Sequence, residues 1–327
     1  MGDKTILFDV ATASDNLGDA IIMDYCKKQI RDITVLPSFF VCIPTHLEMG
    51  KTARCMCKNN PNAKFVCGTN LLKSTMLIHK LWHIGLKDAA VIKNVCLMGV
   101  GWINYQNKLM DPLTKLMWIT LLKKNTKYVH SVRDKYTENR LRDMGIDNVI
   151  YTGCPTMWNL TPEKLSTIPT EKGKDCITTL TFYNRNVDQD RAMIEICKAN
   201  YRTVYFEIQS NEDFEYLNSL TNTDAIKIIG PSLEEYDDTL RKLESVDYIG
   251  TRLHGGIRAL NYGRRAIIIG IDNRATEISN DTGLLVVKRD NVTSHLNEMV
   301  NANLSYTITL PWDNISKWKK QFFDTSK

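Results

Sequence analysis

Short, largely apolar runs alternate along this chain with longer segments in which apolar residues recur at helical spacing. Residues 5–10 form the first such run. A helix follows with Ile21, Ile22, Tyr25 and Ile30 on one face. The same reading predicts strands over 33–36, 64–67, 95–100, 127–132 and 149–152. Between them it predicts helices over 45–58, from Asp111-Pro112 onward, and over 136–144 with Gly145 as a C-terminal glycine. Residues 159–174 are polar, contain two prolines and lack periodicity, so they read as a linker. Alternation then resumes, with strands over 176–180, 203–208, 226–229, 248–249, 266–271 and 284–287. The helices expected among them cover 188–199, 213–220, 233–244, 257–262, 275–279 and 292–300. Strands and helices taking turns at this spacing predict parallel, doubly wound α/β sheets. The organisation expected is an N-terminal Rossmann-like domain (1–158), the linker (159–174), a C-terminal Rossmann-like domain (175–310) and a tail (311–327). The tail's amphipathic helix, 312–323, is expected to pack back on the N-terminal domain.

A length of 327 residues fits two such domains, and an apolar share of 43% is ordinary for a globular protein. The net charge of +5 is spread through the chain, a mild bias toward anionic ligands and too weak to imply nucleic acid. No apolar run approaches the ~20 residues that span a bilayer. The N-terminus runs directly into a strand pattern, so no signal peptide is expected, and Ile6 stands where a myristoylation signal requires Ser or Thr. Nine cysteines show no framework spacing, and Cys96, Cys176 and Cys197 lie in apolar runs, which reads as reduced thiols in a cytoplasmic protein. Cys55-x-Cys57 with Cys67 and His46 lacks paired C-x2-C spacing, so no metal is expected.

The candidate chemistry concentrates where strands end. Asp247-Tyr-Ile-Gly250-Thr-Arg252-Leu253-His254-Gly255-Gly256 passes from a strand through two glycines into a helix, at the edge where open α/β sheets bind ligands. There Arg252 supplies a planar cationic fork, His254 a group that exchanges protons near neutral pH, and the helix N-terminus unpaired N–H groups. Arg133 occupies a like position after the 127–132 strand, and the two arginines together suit a doubly anionic small molecule. Asn16, Gly18 and Asp19 follow the first strand, with a glycine that admits close approach to the backbone; this is not a GxGxxG fingerprint. Gly68-Thr69-Asn70 is a second such turn. Asp272 reads as a helix cap, and Arg274 and Glu277 as candidates for holding an acceptor or a phosphate. Trp102, Tyr105, Trp158 and Tyr183 offer rings for core packing or for stacking on a sugar.

Taken in order, Asn16-Leu-Gly18-Asp19, Ser131-Val-Arg133-Asp134, Thr152-Gly153-Cys-Pro155 and Gly250-Thr-Arg252-Leu253-His254-Gly255 resemble the polysaccharide pyruvyl transferase family over about residues 5–290. Asp272-Asn-Arg274-Ala departs from the family's pattern. The resemblance implies two Rossmann-like domains facing a cleft, similar to GT-B glycosyltransferases. It implies phosphoenolpyruvate as donor, a saccharide acceptor that is free or lipid-linked, a pyruvate ketal as product, and no cofactor or metal. Contact with a membrane would come only through a lipid-linked acceptor. On that reading His254 is the acid/base and Asp19 orients the acceptor. Arg133, Arg252, Leu253, Gly255, Asn16 and Gly18 hold the donor, and Asn70, Asp272, Arg274 and Glu277 lie toward the acceptor. Two alternatives stay open: a nucleotide-sugar glycosyltransferase of the same fold, in which Glu277 contacts a ribose, and a non-catalytic anion-binding module.

Overall fold

A computed structural model describes residues 4–33, 39–76, 81–106 and 110–323. It divides into two compact units, the described residues of Met1–Ser14, Ile22–Pro155 and Leu310–Lys327 in the first, and Asp15–Ile21 with Thr156–Thr309 in the second.

The first unit holds β1 (Thr5–Asp9), most of α1 (Leu17–Ile33), β2 (Phe40–Pro44), α2 (Lys51–Asn59), β3 (Lys64–Cys67), α3 (Leu86–Val91) and β4 (Val95–Met98). After these come α4 (Pro112–Ile119), which continues as a π-helical turn to Lys124, then β5 (His130–Val132), α5 (Lys135–Arg142) and β6 (Val149–Tyr151). Every pairing is parallel, in the order β2-β1-β3-β4, and the β5–β6 pair joins beside β4 through the bridge Val100↔Val132. β1, β3 and β4 are buried along their whole length, as strands of a parallel sheet covered on both faces are. Asp111 caps α4 by accepting from Thr114 N (2.9 Å), with Pro112 in the first turn. Gly145, at φ +81°, closes α5 as expected.

The second unit holds α6 (Pro162–Ser166), β7 (Asp175–Thr179), α7 (Val187–Asn200), β8 (Thr203–Glu207), α8 (Asn211–Leu220), β9 (Ile226–Ile229) and α9 (Leu233–Lys242). It continues with β10 (Val246–Gly250), α10 (Leu253–Asn261), β11 (Ala266–Gly270), α11 (Asn273–Thr282), β12 (Val286–Lys288) and α12 (Asn297–Asn301). The six strands are parallel in the order β12-β11-β10-β7-β8-β9. From β7 the chain moves outward to β9, then returns to lay β10 on the other side of β7. The order therefore reverses between β7 and β10, which is where a doubly wound sheet opens a crevice. The sheet's other edge is tied by a buried network: Asp247 accepts from Tyr201 Oη (2.6 Å), Gly173 N (3.0 Å) and Arg265 Nη1 (2.5 Å). Arg265 Nη2 also reaches the carbonyls of Met299 (3.0 Å), Val300 (2.9 Å) and Ala302 (2.9 Å). The last helix, α13 (Trp312–Lys320), belongs to the first unit, where Trp318 is buried with its ring 6.2 Å from Phe65.

Several expected elements are displaced. Ile33 ends α1 instead of opening a strand, residues 34–38 lie outside the described ones, and the strand is β2. α2 starts at Lys51 rather than at 45, because Thr45, one residue past β2, still continues the sheet pairing through its N–H to Asp9 O (3.1 Å). The polar 159–174 stretch contains α6, capped by Thr161, and buries Leu165 and Ile168 in the second unit. No helix among the described residues is long and apolar enough to cross a membrane. Among the same residues no group of three or more His, Cys, Asp or Glu is placed to hold a metal ion; Cys55 is exposed while Cys57 and Cys67 are buried.

Candidate functional site

The site of the second unit is built on the carboxyl edge at the β7/β10 reversal. β7 and β10 close on each other there because Gly250 has no side chain: a Cβ would lie 2.3 Å from Thr179 Oγ1. Beyond the strands, Thr181 and Thr251 share a hydroxyl hydrogen bond (2.9 Å), and the chain turns at Arg252 into α10. The helix begins at Leu253, four residues before the expected 257. Gly255 and Gly256 sit inside its first turn rather than ahead of it. A Cβ on Gly256 would meet Ile268 Cγ1 at 2.5 Å and one on Gly255 would meet Gln209 Nε2 at 2.8 Å, so the pair lets the helix press onto the sheet. Tyr248 Oη donates to Arg252 O (2.7 Å) and Tyr236 Oη to Gly255 O (2.8 Å), which fixes this turn from below.

Arg252 is buried and held on one edge. Its Nε donates to Leu180 O (2.9 Å) and Asp213 Oδ2 (3.1 Å), its Nη2 to Asp213 Oδ2, and its Nη1 to Asn16 Oδ1 (3.3 Å). The ring of Tyr183 lies 5.4 Å from the guanidinium. Burial pushes the Asp213 carboxyl up, and the charge of Arg252 opposes that. The pair keeps a positive, planar group at the mouth of the sheet.

Of the expected residues, Asn16, Gly18, Arg252, Leu253, His254 and Arg274 line one small recess. Asn16 and Gly18 arrive with the segment that opens α1, which groups with the second unit through Leu17 N→Gln209 O (3.0 Å). Asp272 caps α11 through Arg274 N (2.9 Å) and binds Arg274 Nε (2.9 Å), so its role is to aim that arginine. Asp19 in the first turn of α1, Gly255 and Glu277 lie outside the recess lining. Asn70 and Arg133 belong to the first unit. There Arg133 is buried and paired with Asp134, its Nε donating to Oδ2 (3.1 Å) and its Nη2 lying 3.0 Å from the same oxygen, while Nη1 has no hydrogen-bond partner. Its guanidinium lies over Gly101, where a Cβ would approach it to 2.2 Å. Trp102 and Trp158 are buried in packing, whereas Tyr105 and Tyr183 are exposed.

Asp213, Glu207 and Gln209 were not among the expected site residues. All three follow from strand order: β8 lies beside β7, so whatever ends β8 or opens α8 stands next to the corner at β10. Gln209 Nε2 donates to Glu207 Oε2 (2.8 Å). Glu207 is fully buried, and desolvation pushes its carboxyl from 4.5 up to about 8, against the pull of the Gln209 hydrogen bond and the Arg252 charge. The folded protein thus keeps a proton that the unfolded chain releases, so stability falls as pH rises from the ordinary carboxyl range through about 8. The slope from this one group approaches about 1.4 kcal/mol per pH unit. Urea unfolding of Glu207→Gln between about pH 5 and pH 8 is expected to show that part of the profile flattened. An unchanged profile would contradict the buried, neutral acid.

A family model, polysaccharide pyruvyl transferase, matches residues 16–273 of this chain, from the Asn16 turn through the corner at Arg252 to the cap at Asp272. The chain belongs to the polysaccharide pyruvyl transferase family. No curated protein sequence matches it significantly. Among solved structures, a Listeria monocytogenes protein assigned as a UDP-N-acetylglucosamine 2-epimerase is similar at 12% identity and a TM-score of 0.53, covering 100% of this chain and 98% of that one. The UDP-GlcNAc 2-epimerase of Neisseria meningitidis follows at 13% identity and a TM-score of 0.46, covering 98% of each chain. The E. coli heptosyltransferase WaaC gives 12% and 0.40 over 81% of this chain and 88% of that one. The fold of this pyruvyl transferase family member is therefore the GT-B type, with a Rossmann-like parallel sheet in each unit.

Proposed function

We propose that the protein moves the enolpyruvyl group of phosphoenolpyruvate onto two hydroxyls of a sugar, in a surface polysaccharide or its free or lipid-linked precursor, forming a pyruvate ketal. Arg252 is the observation that carries this reading. It is a buried cation locked by Asp213 at the strand-order reversal, sharing its recess with His254 in a chain of the pyruvyl transferase family. In the reaction the enol carbon takes a proton, one sugar hydroxyl adds at C2, the C2–O bond to phosphate breaks, and the second hydroxyl adds in its place. Of the two hydroxyl protons, one ends in the new methyl group and the other leaves with phosphate, so the step needs no oxidant or reductant.

Arg252, with the backbone of Leu253 and Gly255 at the α10 N-terminus and with Asn16 and Gly18, binds the donor. His254 acts as acid/base and Asp19 orients an acceptor hydroxyl. Arg274, aimed by Asp272, and Glu277 are assigned to the acceptor. All nine cysteines are free, which supports a cytoplasmic setting.

The test is phosphate release that requires both phosphoenolpyruvate and a glycoside acceptor, measured for the wild type and His254→Ala. His254→Ala is expected to lower kcat by about 10²–10⁴-fold while phosphoenolpyruvate affinity changes by no more than about threefold. Retained turnover would remove His254 from the mechanism. Nucleotide-dependent transfer in place of phosphate release would overturn the donor.

A further inference from the structure

Gln209 brings to the Arg252 recess a chemistry that a bare anion does not satisfy. The residue is 1% exposed and lines the recess, and its Oε1 has no hydrogen-bond partner. Its other end is committed, since Nε2 donates to Glu207 Oε2 at 2.8 Å. That bond turns Oε1 toward Gly18, 3.6 Å from the point a Cβ there would occupy, so the oxygen stands buried beneath the Gly18 side of the recess with no side chain between. A buried carbonyl oxygen left without a donor costs free energy that a bound ligand recovers only by bringing an N–H or O–H. Carboxylate, sulfate and fully ionised phosphate present acceptors alone, and each would set oxygen against oxygen.

We propose that this recess binds a phosphoryl group that retains a proton, with Arg252 holding the ionised oxygens and Gln209 Oε1 accepting the P–OH hydrogen bond. The assignment rests on the recess being the donor site, and it adds that the phosphoryl end is the one seated there, bound as the mono-protonated ester, whose second pKa is about 6, and as the hydrogen phosphate it releases. Glu207 is the positioning residue: its Oε2 accepts from the amide Nε2 and so sets which end of Gln209 meets the recess. Gly255 belongs to the same arrangement, as a methyl group there would stand 2.8 Å from Gln209 Nε2 and displace the amide.

Inorganic phosphate and sulfate separate the proposal from its alternatives, since at neutral pH phosphate keeps at least one proton and sulfate has none. Calorimetric titration of the wild-type protein is expected to give phosphate at least about tenfold tighter than sulfate. In Gln209→Met, with melting temperature checked, the ratio is expected to fall to about threefold or less, mainly through loss of phosphate affinity. Equal binding of the two anions by the wild type would overturn the proposal, and so would a preference that survives Gln209→Met. If Gln209→Met does not fold, the wild-type ratio alone decides. The two readings fail differently. Phosphoenolpyruvate binding without a phosphate preference removes only the role of Gln209. Binding of none of the three anions removes the donor site and this inference with it.

Discussion

Arg252→Lys is expected to lower kcat/KM for phosphoenolpyruvate by about 10²–10³-fold while the protein stays folded. The guanidinium does two jobs at once. One edge faces Asp213 and Leu180 O, with Nη1 also on Asn16 Oδ1, and this holds the plane in position for the ligand. A lysine keeps the charge and can still neutralise Asp213, but it is a point cation without a fork, so it cannot serve the aspartate and an anionic ligand together. The loss should therefore appear in donor affinity, with the melting temperature within a few degrees of wild type. A variant with normal donor affinity would show that Arg252 is a structural ion pair only.

Arg265→Met carries the largest expected effect on stability, a loss of about 3–5 kcal/mol. Arg265 is 1% exposed and faces Asp247 and three backbone carbonyls at the end of α12. Removing it strands a buried carboxylate that burial already pushes up, leaving it only Tyr201 Oη and Gly173 N. It also leaves the carbonyls of Met299, Val300 and Ala302 without that donor. Because the site lies at the opposite end of the strands, the residual folded fraction should bind phosphoenolpyruvate normally. Denaturant unfolding checks the first statement and titration of the folded fraction the second. A change below about 1 kcal/mol would mean that the network relaxes without its cation.

The sequence showed clearly where local rules decide. Lys64–Cys67 and Ile226–Ile229 are strands over the expected residues, Asp111-Pro112 opens a helix and Gly145 closes one, because each depends on a few adjacent side chains. It showed less where packing overrides propensity. Gly255 and Gly256 argue against helix on their own, yet they lie within α10 because only glycine fits against Ile268 and Gln209. Arg252 and His254 could be found from one contiguous motif. Asp213 looks like an ordinary acid in a helix's first turn, and Glu207 and Gln209 like the end of a strand. Their place in the site depends on β8 lying beside β7, which the sequence does not state. Polar residues directly after a buried strand were the available signal, and Glu207-Ile-Gln209-Ser210 carried it.

The most direct test of the account is calorimetric titration of the wild-type protein with phosphoenolpyruvate and, separately, with UDP, repeated on Arg252→Lys. The prediction is one site for phosphoenolpyruvate, no binding of UDP, and loss of the phosphoenolpyruvate site in the variant. Binding of UDP without phosphoenolpyruvate would contradict the pyruvyl donor and assign the recess to a nucleotide sugar instead.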